Sequence, residues 1–214
     1  MIRHDRKAGA MAIALSVLAG FVDALGFLKL GGFFVSFMSG NSTRLGVGLA
    51  QRSDSAAVGA GLVAGFVSGV IMASLAGHLV QRRRPVIVLA MVSALLGGAA
   101  IAYDLGAGLV AISLVTIAMG AENVVFQRNG EVSIGLTYMT GTLVKFGQHI
   151  SNALVGGAPW LWVPYLLLWL GLVAGASVGA AVYRIVGLDG LWGAAAMAAG
   201  LAWAASTRGR TLST

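Results

Sequence analysis

The feature that most constrains this chain is a series of long apolar segments separated by short polar loops. A helix needs about 20 mostly apolar residues to cross a bilayer. Six segments meet that requirement: Ala8–Leu28, Ala57–Val80, Pro85–Tyr103, Gly106–Phe126, Trp160–Tyr183 and Leu188–Ser206. Only 10% of the residues are charged, against about 25% in soluble domains, so a lipid bilayer must solvate most of the chain. The sequence therefore predicts an all-α, polytopic transmembrane helical bundle.

Two further apolar segments, Phe33–Leu49 and Ser133–Leu154, are interrupted by polar motifs. The first motif is FMSGNSTRLG at residues 37–46, and the second is YMTGTLVKFG at residues 138–147. Irregular backbone persists in a bilayer only where protein shields it or where it lines a wet cavity. We therefore expect a broken or re-entrant helix in each of these segments.

The positions of the basic residues favour a topology in which neither interrupted segment makes a net crossing. Cytoplasmic loops of membrane proteins carry an excess of Lys and Arg. With two re-entrant segments, most basic sites fall on one side: the N-terminus, Arg82–Arg84, Arg128, Arg208 and Arg210. Lys29, Arg52 and Arg184 fall on the other side. We expect about six full spans, two broken or re-entrant segments and both termini cytoplasmic, in a bacterial inner membrane.

The two halves of the chain, residues 1–104 and 105–214, present similar motifs in the same order. The two polar motifs align over an aromatic residue, a Met, a hydroxyl residue, two glycines and a basic residue. Upstream, Asp23 of FVDALG matches Glu122 of GAENVV if two residues are dropped. Three spans in each half, an odd number, would insert the second half upside down, as in many secondary transporters. The sequence predicts one membrane domain made of an inverted internal repeat.

Candidate binding or gating residues lie in and around these matched motifs. Glycine permits a break or tight turn, and hydroxyl or amide side chains can bond the freed backbone groups. A helix that restarts after a break directs its N–H groups toward the membrane centre, where an anion can bind. Arg44 and Lys145 would follow on the restarted helices. The full set is Asp23, Ser39, Gly40, Asn41, Thr43, Arg44, Glu122, Asn123, Thr140, Gly141, Thr142 and Lys145.

Two acids, Asp23 and Glu122, lie inside otherwise apolar spans. A carboxylate at the bilayer centre costs about 2.5–3.5 kcal/mol on insertion scales. An ion pair with Arg44 or Lys145 would offset that cost. Protonation would also offset it and would let an acid carry a proton with substrate. The polar motifs also have a structural interpretation, in which hydroxyls bond to neighbouring helices and Arg44 extends to the headgroups. The sequence leaves these alternatives open.

Several other functional classes have no support in the sequence. The chain has no cysteine, which excludes disulfides, thiol catalysis and thiolate metal sites. Its three histidines are scattered, so we expect no metal site. The net charge of +7 is concentrated in loops and termini, where membrane topology accounts for it, so we expect no nucleic-acid partner. Motifs for catalysis or phosphate binding are missing, and we expect neither an enzyme nor a cofactor.

The run GFVDALGFLKLGGFFVSFMSGNSTRLG, residues 20–46, resembles the YoaK family of small bacterial inner-membrane proteins. That family shows an early G-x-x-D-A-x-G-F pattern followed by a [ST]-G-N segment. The likeness covers nearly the whole chain but is looser in the second half, because MTGTLVKFG lacks the Asn found at Asn41. The resemblance implies a bacterial multispan protein of unknown function and supplies no substrate.

These observations predict a small membrane transporter for a small polar or anionic solute. It would be a secondary transporter or a facilitative channel, and the two acids give it an option of proton coupling. The alternative is a non-transporting membrane scaffold or regulatory subunit that uses the polar motifs as contacts between helices. A chain this short offers little framework around a moving part, which favours a homodimer.

Overall fold

A computed structural model describes residues 6–128, 131–132 and 138–210, and these residues form eight α-helices and one short β-ladder. The helices are α1 (Arg6–Lys29), α2 (Met38–Gln51), α3 (Ser55–Leu79), α4 (Arg84–Asp104), α5 (Gly108–Glu122), α6 (Met139–Leu154), α7 (Val163–Val186) and α8 (Gly190–Arg210). Strands β1 (Gln127–Arg128) and β2 (Glu131–Val132) pair antiparallel. Short 3-10 turns, Gln81–Arg83 and Gly187–Asp189, connect α3 to α4 and α7 to α8.

The helices confirm the prediction of a helical membrane protein. Four stretches of the described chain are long and apolar enough to cross a membrane: Ala8–Lys29, Ser55–Leu79, Arg84–Asp104 and Val163–Thr207. The last stretch contains both α7 and α8. Helix α5 is apolar but shorter, with 15 residues. Each of the six predicted spans overlaps one of α1, α3, α4, α5, α7 and α8.

The two interrupted segments contain the shorter helices α2 and α6. Both helices begin at the methionine of their motif, Met38 and Met139, so the irregular backbone precedes the glycine of each motif. In the predicted segment Ser133–Leu154, residues 133–137 lie outside the described residues. The β-ladder was not predicted, because its two strands have only two residues each.

Glycines on α7 allow it to pack closely against α1. The main chain of α1 occupies the space that side chains on the glycine face of α7 would need. The contacts follow one order along both helices: Gly171 with Ile13, Gly175 with Val17, and Gly179 with Phe21. Helices α1 and α7 therefore run in the same direction, with the close backbone approach that small residues permit in membrane helices.

Helices α3 and α5 pack in the same way as α1 and α7, with main-chain carbonyl groups against glycines of the partner helix. The carbonyl of Ile117 lies against Gly69, as the carbonyl of Val17 lies against Gly175. On the first helix of each half, Gly20 meets the carbonyl of Leu172 and Gly120 meets the carbonyl of Phe66. The first helix of each half thus packs on the third helix of the other half.

Helices α4 and α8 complete the core and run in opposite directions. The Ser93 hydroxyl on α4 donates a hydrogen bond of 2.9 Å to the carbonyl of Ala195 on α8. At one end of the pair, the indole N–H of Trp192 donates to Asp104 Oδ2 at 3.3 Å. The core around these helices contains fully buried Leu89, Leu96 and Leu191. The end of α4 also meets the end of α1, because the Lys29 ammonium lies 5.1 Å from the centre of the Tyr103 ring.

Substitution Gly175→Leu should prevent the α1–α7 crossing, because the carbonyl of Val17 occupies the position of the new Cβ. Helix separation of this kind costs about 3 kcal/mol. We expect a clear fall in melting temperature and in the yield of monodisperse protein. The matched control is Gly193→Leu on α8, where a Cβ meets nothing within 4 Å. Equal stability of the two variants would contradict the crossing.

Candidate functional site

The chain turns back along α1 after Lys29 and is held there by Asp23. Gly31 and Gly32 form the turn with φ values of 61° and 103°, which favour glycine. The returning chain donates two hydrogen bonds of 2.8 Å to Asp23 Oδ1, from the N–H groups of Val35 and Ser36. Asp23 lies six residues before the end of α1, or about 9 Å along the helix. The irregular segment therefore extends well into the bundle.

Asn41 forms hydrogen bonds with both main-chain groups of Phe34, another residue of this segment. Its Nδ2 donates to the carbonyl oxygen of Phe34 at 2.6 Å, and its Oδ1 accepts from the N–H of Phe34 at 3.0 Å. Only an amide side chain presents a donor and an acceptor in this pairing. Asn41 is fully buried, so its side chain takes the place of the missing secondary structure at this position.

Helix α2 runs back in the direction from which the irregular segment came. Asn41 pairs with Phe34, and one helical turn later the Arg44 guanidinium lies over the Phe33 ring at 4.9 Å and against Gly32. The order is antiparallel, so the chain reverses near Phe37. We call residues 30–51 the first hairpin. Its second arm, α2, packs antiparallel to α3, with Gly48 against Ala56 and Asn41 against Gly59.

A cavity of about 220 Å³ lies between the N-terminal turns of α2 and α6. Its lining consists of Ser36, Phe37, Met38, Ser39, Phe66, Tyr138, Met139, Thr140 and Gly141. Phe66 is the twelfth of the 25 residues of α3, which puts the cavity near half the length of that helix. The two polar motifs therefore border one half-open cavity at this level, although they are about 100 residues apart in the sequence.

The cavity has a polar side formed by hydroxyls and by the starts of two helices. Ser36, Ser39 and Thr140 contribute hydroxyl-bearing side chains to the lining. Neither N-cap residue, Phe37 or Tyr138, caps its helix with a side-chain hydrogen bond. The first N–H groups of a helix carry partial positive charge. This arrangement favours a guest with hydrogen-bond acceptors, such as water, a carbonyl group or an anion.

Three residues of the sequence-derived set, Ser39, Thr140 and Gly141, line the cavity. Gly40 and Thr142 support its walls. A side chain at Gly40 would collide with the ring of Phe37, and the buried Thr142 hydroxyl donates to the carbonyl of Tyr138 within α6.

Other predicted site residues lie away from the cavity. Thr43 is exposed, and its hydroxyl donates to the carbonyl of Ser39 within α2. Arg44 is half-buried on the Phe33 ring, and Lys145 is exposed on α6. The expected attraction of solute by these two cations is therefore not supported by their positions in this conformation.

The acids occupy two different environments. The expected ion pair of Asp23 with Arg44 or Lys145 is not formed in the described structure, where main-chain amides bind Asp23 Oδ1. Glu122 is fully buried at the last position of α5, and within the described part of the chain neither carboxyl oxygen has a hydrogen-bond partner. The neighbouring Asn123 is also buried, and its Nδ2 donates to the carbonyl of Met119 at 2.9 Å.

The helix crossings correct the sequence match between the two halves. They pair Gly20 with Gly120 as equivalent positions, because each receives a carbonyl from the third helix of the other half. Counting three residues onward places Asn123, rather than Glu122, at the position of Asp23. The register that these contacts define differs by one residue from the register in which the two acids align. Glu122 consequently has no acidic counterpart in the first half, where its equivalent is Val22.

Sequence reasoning missed most of the apolar lining. Phe37, Met38, Tyr138 and Met139 belong to the quoted motifs, and their position directly before the helix starts could have identified them. Phe66 comes from α3, far from both motifs. Its only sequence signal is its place between Gly65 and Gly69, two glycines four residues apart, which indicate a close helix contact but no cavity.

The family of this chain follows from its similarity to known proteins. Residues 11–204 match the model of a family described as a protein of unknown function, DUF1275. The chain belongs to the DUF1275 family. It is 40% identical over 195 residues to UPF0700 transmembrane protein RA0705 of Rhizobium meliloti (strain 1021), covering 90% of this chain and 84% of that relative.

A second relative confirms the resemblance to the YoaK family. The chain is 31% identical over 152 residues to UPF0700 transmembrane protein YoaK of Bacillus subtilis (strain 168), covering 65% of this chain and 66% of that relative. No solved structure matches the chain. Together with the long apolar helices, these relatives establish a multi-pass membrane protein.

Substitution Asn41→Leu tests the support of the first hairpin. Leucine has a similar volume but leaves the N–H and carbonyl of Phe34 without their partner. Two unsatisfied buried groups cost about 2–4 kcal/mol, so the free energy of unfolding should fall by that amount. Ser42→Val is the control, because the Ser42 hydroxyl bonds only within α2, on its exposed side. An Asn41→Leu protein as stable as Ser42→Val would show that the clamp does not stabilise the hairpin.

Proposed function

We propose that this DUF1275 protein is a small membrane transporter, either a secondary transporter or a facilitative channel, for a small polar or anionic solute. The observation that carries the proposal is the cavity between the starts of α2 and α6. If α3 spans the bilayer, its midpoint beside the cavity would lie near the bilayer midplane, where secondary transporters bind substrate between interrupted helices. A protein that only joins partners in the membrane has no need of a polar cavity at that depth.

The proposed topology has six crossings, by α1, α3, α4, α5, α7 and α8. The contact between Lys29 and Tyr103 puts the ends of α1 and α4 at one face of the bundle. Helices α3 and α4 together cross twice, so α3 must begin at that same face. The chain therefore leaves α1 and enters α3 on one side, and the first hairpin makes no net crossing.

The same reasoning applies to the second half. The starts of α1 and α7 lie together, because Gly9 and Ile13 share an apolar cleft with Val163 and Leu167. Helix α5 starts from the opposite face, after Asp104, and crosses toward the face where α1 and α7 begin. The chain between α5 and α7, which includes α6, then makes no net crossing either. The two interrupted segments would enter from opposite faces, as an inverted repeat of residues 1–104 and 105–214 requires.

Orientation follows from the charges. The face at which α1 begins would also carry Arg82–Arg84, Arg128 and the basic C-terminus, so this face would be cytoplasmic in a bacterial inner membrane. The opposite face would carry the acidic residues Asp54, Asp104 and Asp189. This arrangement places both termini in the cytoplasm.

The size and chemistry of the cavity limit the solute. Drug-sized ligands occupy pockets of about 300–1,000 Å³, and this cavity is smaller at about 220 Å³. A water molecule takes about 30 Å³ in the liquid, so the space suits several waters or one solute of a few heavy atoms. None of the nine described lining residues carries a charge. The positive ends of two helix dipoles favour a solute with acceptor atoms.

Transport by purified protein in liposomes tests the proposal. The assay should survey inorganic anions, small carboxylates, amino acids and small neutral solutes, each with and without a proton gradient. We expect protein-dependent flux of at least one small acceptor-bearing solute. Empty liposomes and liposomes with the Gly175→Leu protein serve as negative controls. Absence of flux across the whole panel would contradict a transport function.

Filling the cavity should abolish that flux. In the double variant Ser39→Leu and Thr140→Leu, two hydroxyls are replaced by larger apolar side chains in the lining. We expect at least a tenfold loss of flux, equivalent to about 1.4 kcal/mol, with little change in melting temperature. The control Ser42→Leu adds the same bulk on the exposed side of α2. Equal flux in the two proteins would place the solute path elsewhere.

Single cysteines test the re-entrant topology. The chain contains no cysteine, so each variant carries one thiol. Lys29→Cys before the first hairpin and Ser53→Cys after it should react with an impermeant thiol reagent from the same side of intact membrane. Arg83→Cys should react only from the other side. Labelling of Lys29→Cys and Ser53→Cys from opposite sides would mean that the first hairpin crosses.

A membrane scaffold or regulatory subunit is the second candidate function, and one observation favours it. Helix α6 buries only Thr142 among its side chains. Lys145 and Gln148 are exposed on the same helix, and exposed polar groups on a membrane helix are costly unless a partner or water covers them. A homodimer contact through α6 would cover them. A stable complex through α6 together with absence of flux would favour the scaffold.

A further inference from the structure

We propose that Glu122 is a proton-binding site, that its carboxyl group holds a proton in this conformation, and that this proton couples to transport. Only the last part rests on the proposed function. The first two parts rest on the position and surroundings of the side chain. They assign the two intramembrane acids to different chemical roles.

The described structure gives the Glu122 carboxyl group no partner that would stabilise a negative charge. Its side chain is fully buried, and neither Oε1 nor Oε2 has a hydrogen-bond partner among the described residues. A buried ionised carboxylate is tolerated when donors or a cation compensate it, and without them it takes up a proton. The neutral acid is therefore the form that this environment accepts.

The helix that carries Glu122 adds to this preference. Glu122 is the last residue of α5, and the final carbonyl groups of a helix carry partial negative charge. An anion at that end is repelled, whereas a neutral acid is not. The residues one turn earlier, Ala118 and Met119, are fully buried and apolar, so they offer no donor from their side chains.

The charged groups on neighbouring helices do not compensate Glu122. Helix α5 packs against α3 and α4 and touches α1. The titratable or charged residues with described side chains on these elements and their caps are Asp54 and His78 on α3, Arg83, Arg84, Tyr103 and Asp104 on α4, and Asp23 and Lys29 on α1. None of them bonds to Glu122. Lys29 is directed to Tyr103, and Arg84 packs against Gly77.

Asp23 provides the internal contrast. Its Oδ1 accepts two main-chain hydrogen bonds of 2.8 Å, so this carboxyl group has hydrogen-bond partners that Glu122 lacks among the described residues. Asp23 therefore holds the first hairpin in place. The helix crossings also show that Glu122 has no acidic counterpart in the first half, so a single acid would serve both repeats.

The cavity gives Glu122 a physical connection to the proposed solute path. Phe66 lines the cavity, and its carbonyl packs against Gly120 in the last turn of α5. A movement of α5 against α3 at this contact would change the cavity wall and the cover of Glu122 together. Once water reaches the carboxyl group, the proton passes to a water molecule and leaves a carboxylate. Reprotonation from the other side completes the exchange.

Infrared spectroscopy of the full-length protein in lipid nanodiscs tests the proton site directly. We expect the wild type to show the C=O stretching band of a protonated carboxyl group at neutral pH, shifted in D₂O. The Glu122→Gln protein should lose that band and keep the wild-type melting temperature. Asp104→Asn, which changes an acid at the surface end of α4, is the matched control and should keep the band. If Glu122→Gln reduces stability, the wild-type band and its D₂O shift remain the primary readout.

The outcomes separate this inference from the proposed function. Absence of a protonated-carboxyl band in the wild type, or its persistence in Glu122→Gln, would overturn the proton site. A sodium requirement for solute flux in place of a proton requirement would overturn the coupling. If the band depends on Glu122 and solute flux occurs, Glu122→Gln should retain solute exchange but lose proton uptake; retained proton uptake would refute the coupling. If the band depends on Glu122 and no solute is transported, the site stands and the transporter proposal falls.

Discussion

The structure depends on the need to satisfy main-chain hydrogen-bonding groups where the chain is irregular inside an apolar bundle. An unpaired N–H or carbonyl in such surroundings is costly, and residues 33–37 supply several of them. Asp23 accepts from Val35 and Ser36, and Asn41 serves both groups of Phe34. These two side chains allow the first hairpin to exist, and the hairpin in turn supplies one wall of the cavity.

Close helix crossings determine where the two interrupted segments meet. Each half directs its first helix into the glycine face of the third helix from the other half, so the halves are interlocked rather than side by side. In the bundle built on these crossings, the starts of α2 and α6 line the same cavity. Phe66 joins the two features, because it lines the cavity and its carbonyl packs against Gly120.

The helices and the irregular segment before α2 were predictable from the sequence, because they depend on local hydropathy and on polar residues within apolar runs. The motifs also indicated Ser39, Thr140 and Gly141 as candidate site residues, and all three line the cavity. The partners of Asp23 did not, since a carboxylate in an apolar span is equally consistent with an ion pair. The main-chain donors of residues 35 and 36 become visible only once the chain turns back. The sequence also favoured Glu122 as the counterpart of Asp23, because both residues are acids. The helix contacts instead align Asp23 with Asn123.

Intramolecular cross-linking between Ser39→Cys and Thr140→Cys tests most directly whether the two polar motifs face each other across a hydrated space. The chain has no other thiol, so a short, water-soluble bifunctional reagent can bridge only this pair. In dilute detergent solution we expect rapid cross-linking within one chain, and none for the Ser42→Cys and Thr140→Cys pair, whose first residue lies on the exposed side of α2. Failure of the Ser39–Thr140 pair to cross-link, or equal reaction of both pairs, would contradict a shared cavity in mid-membrane.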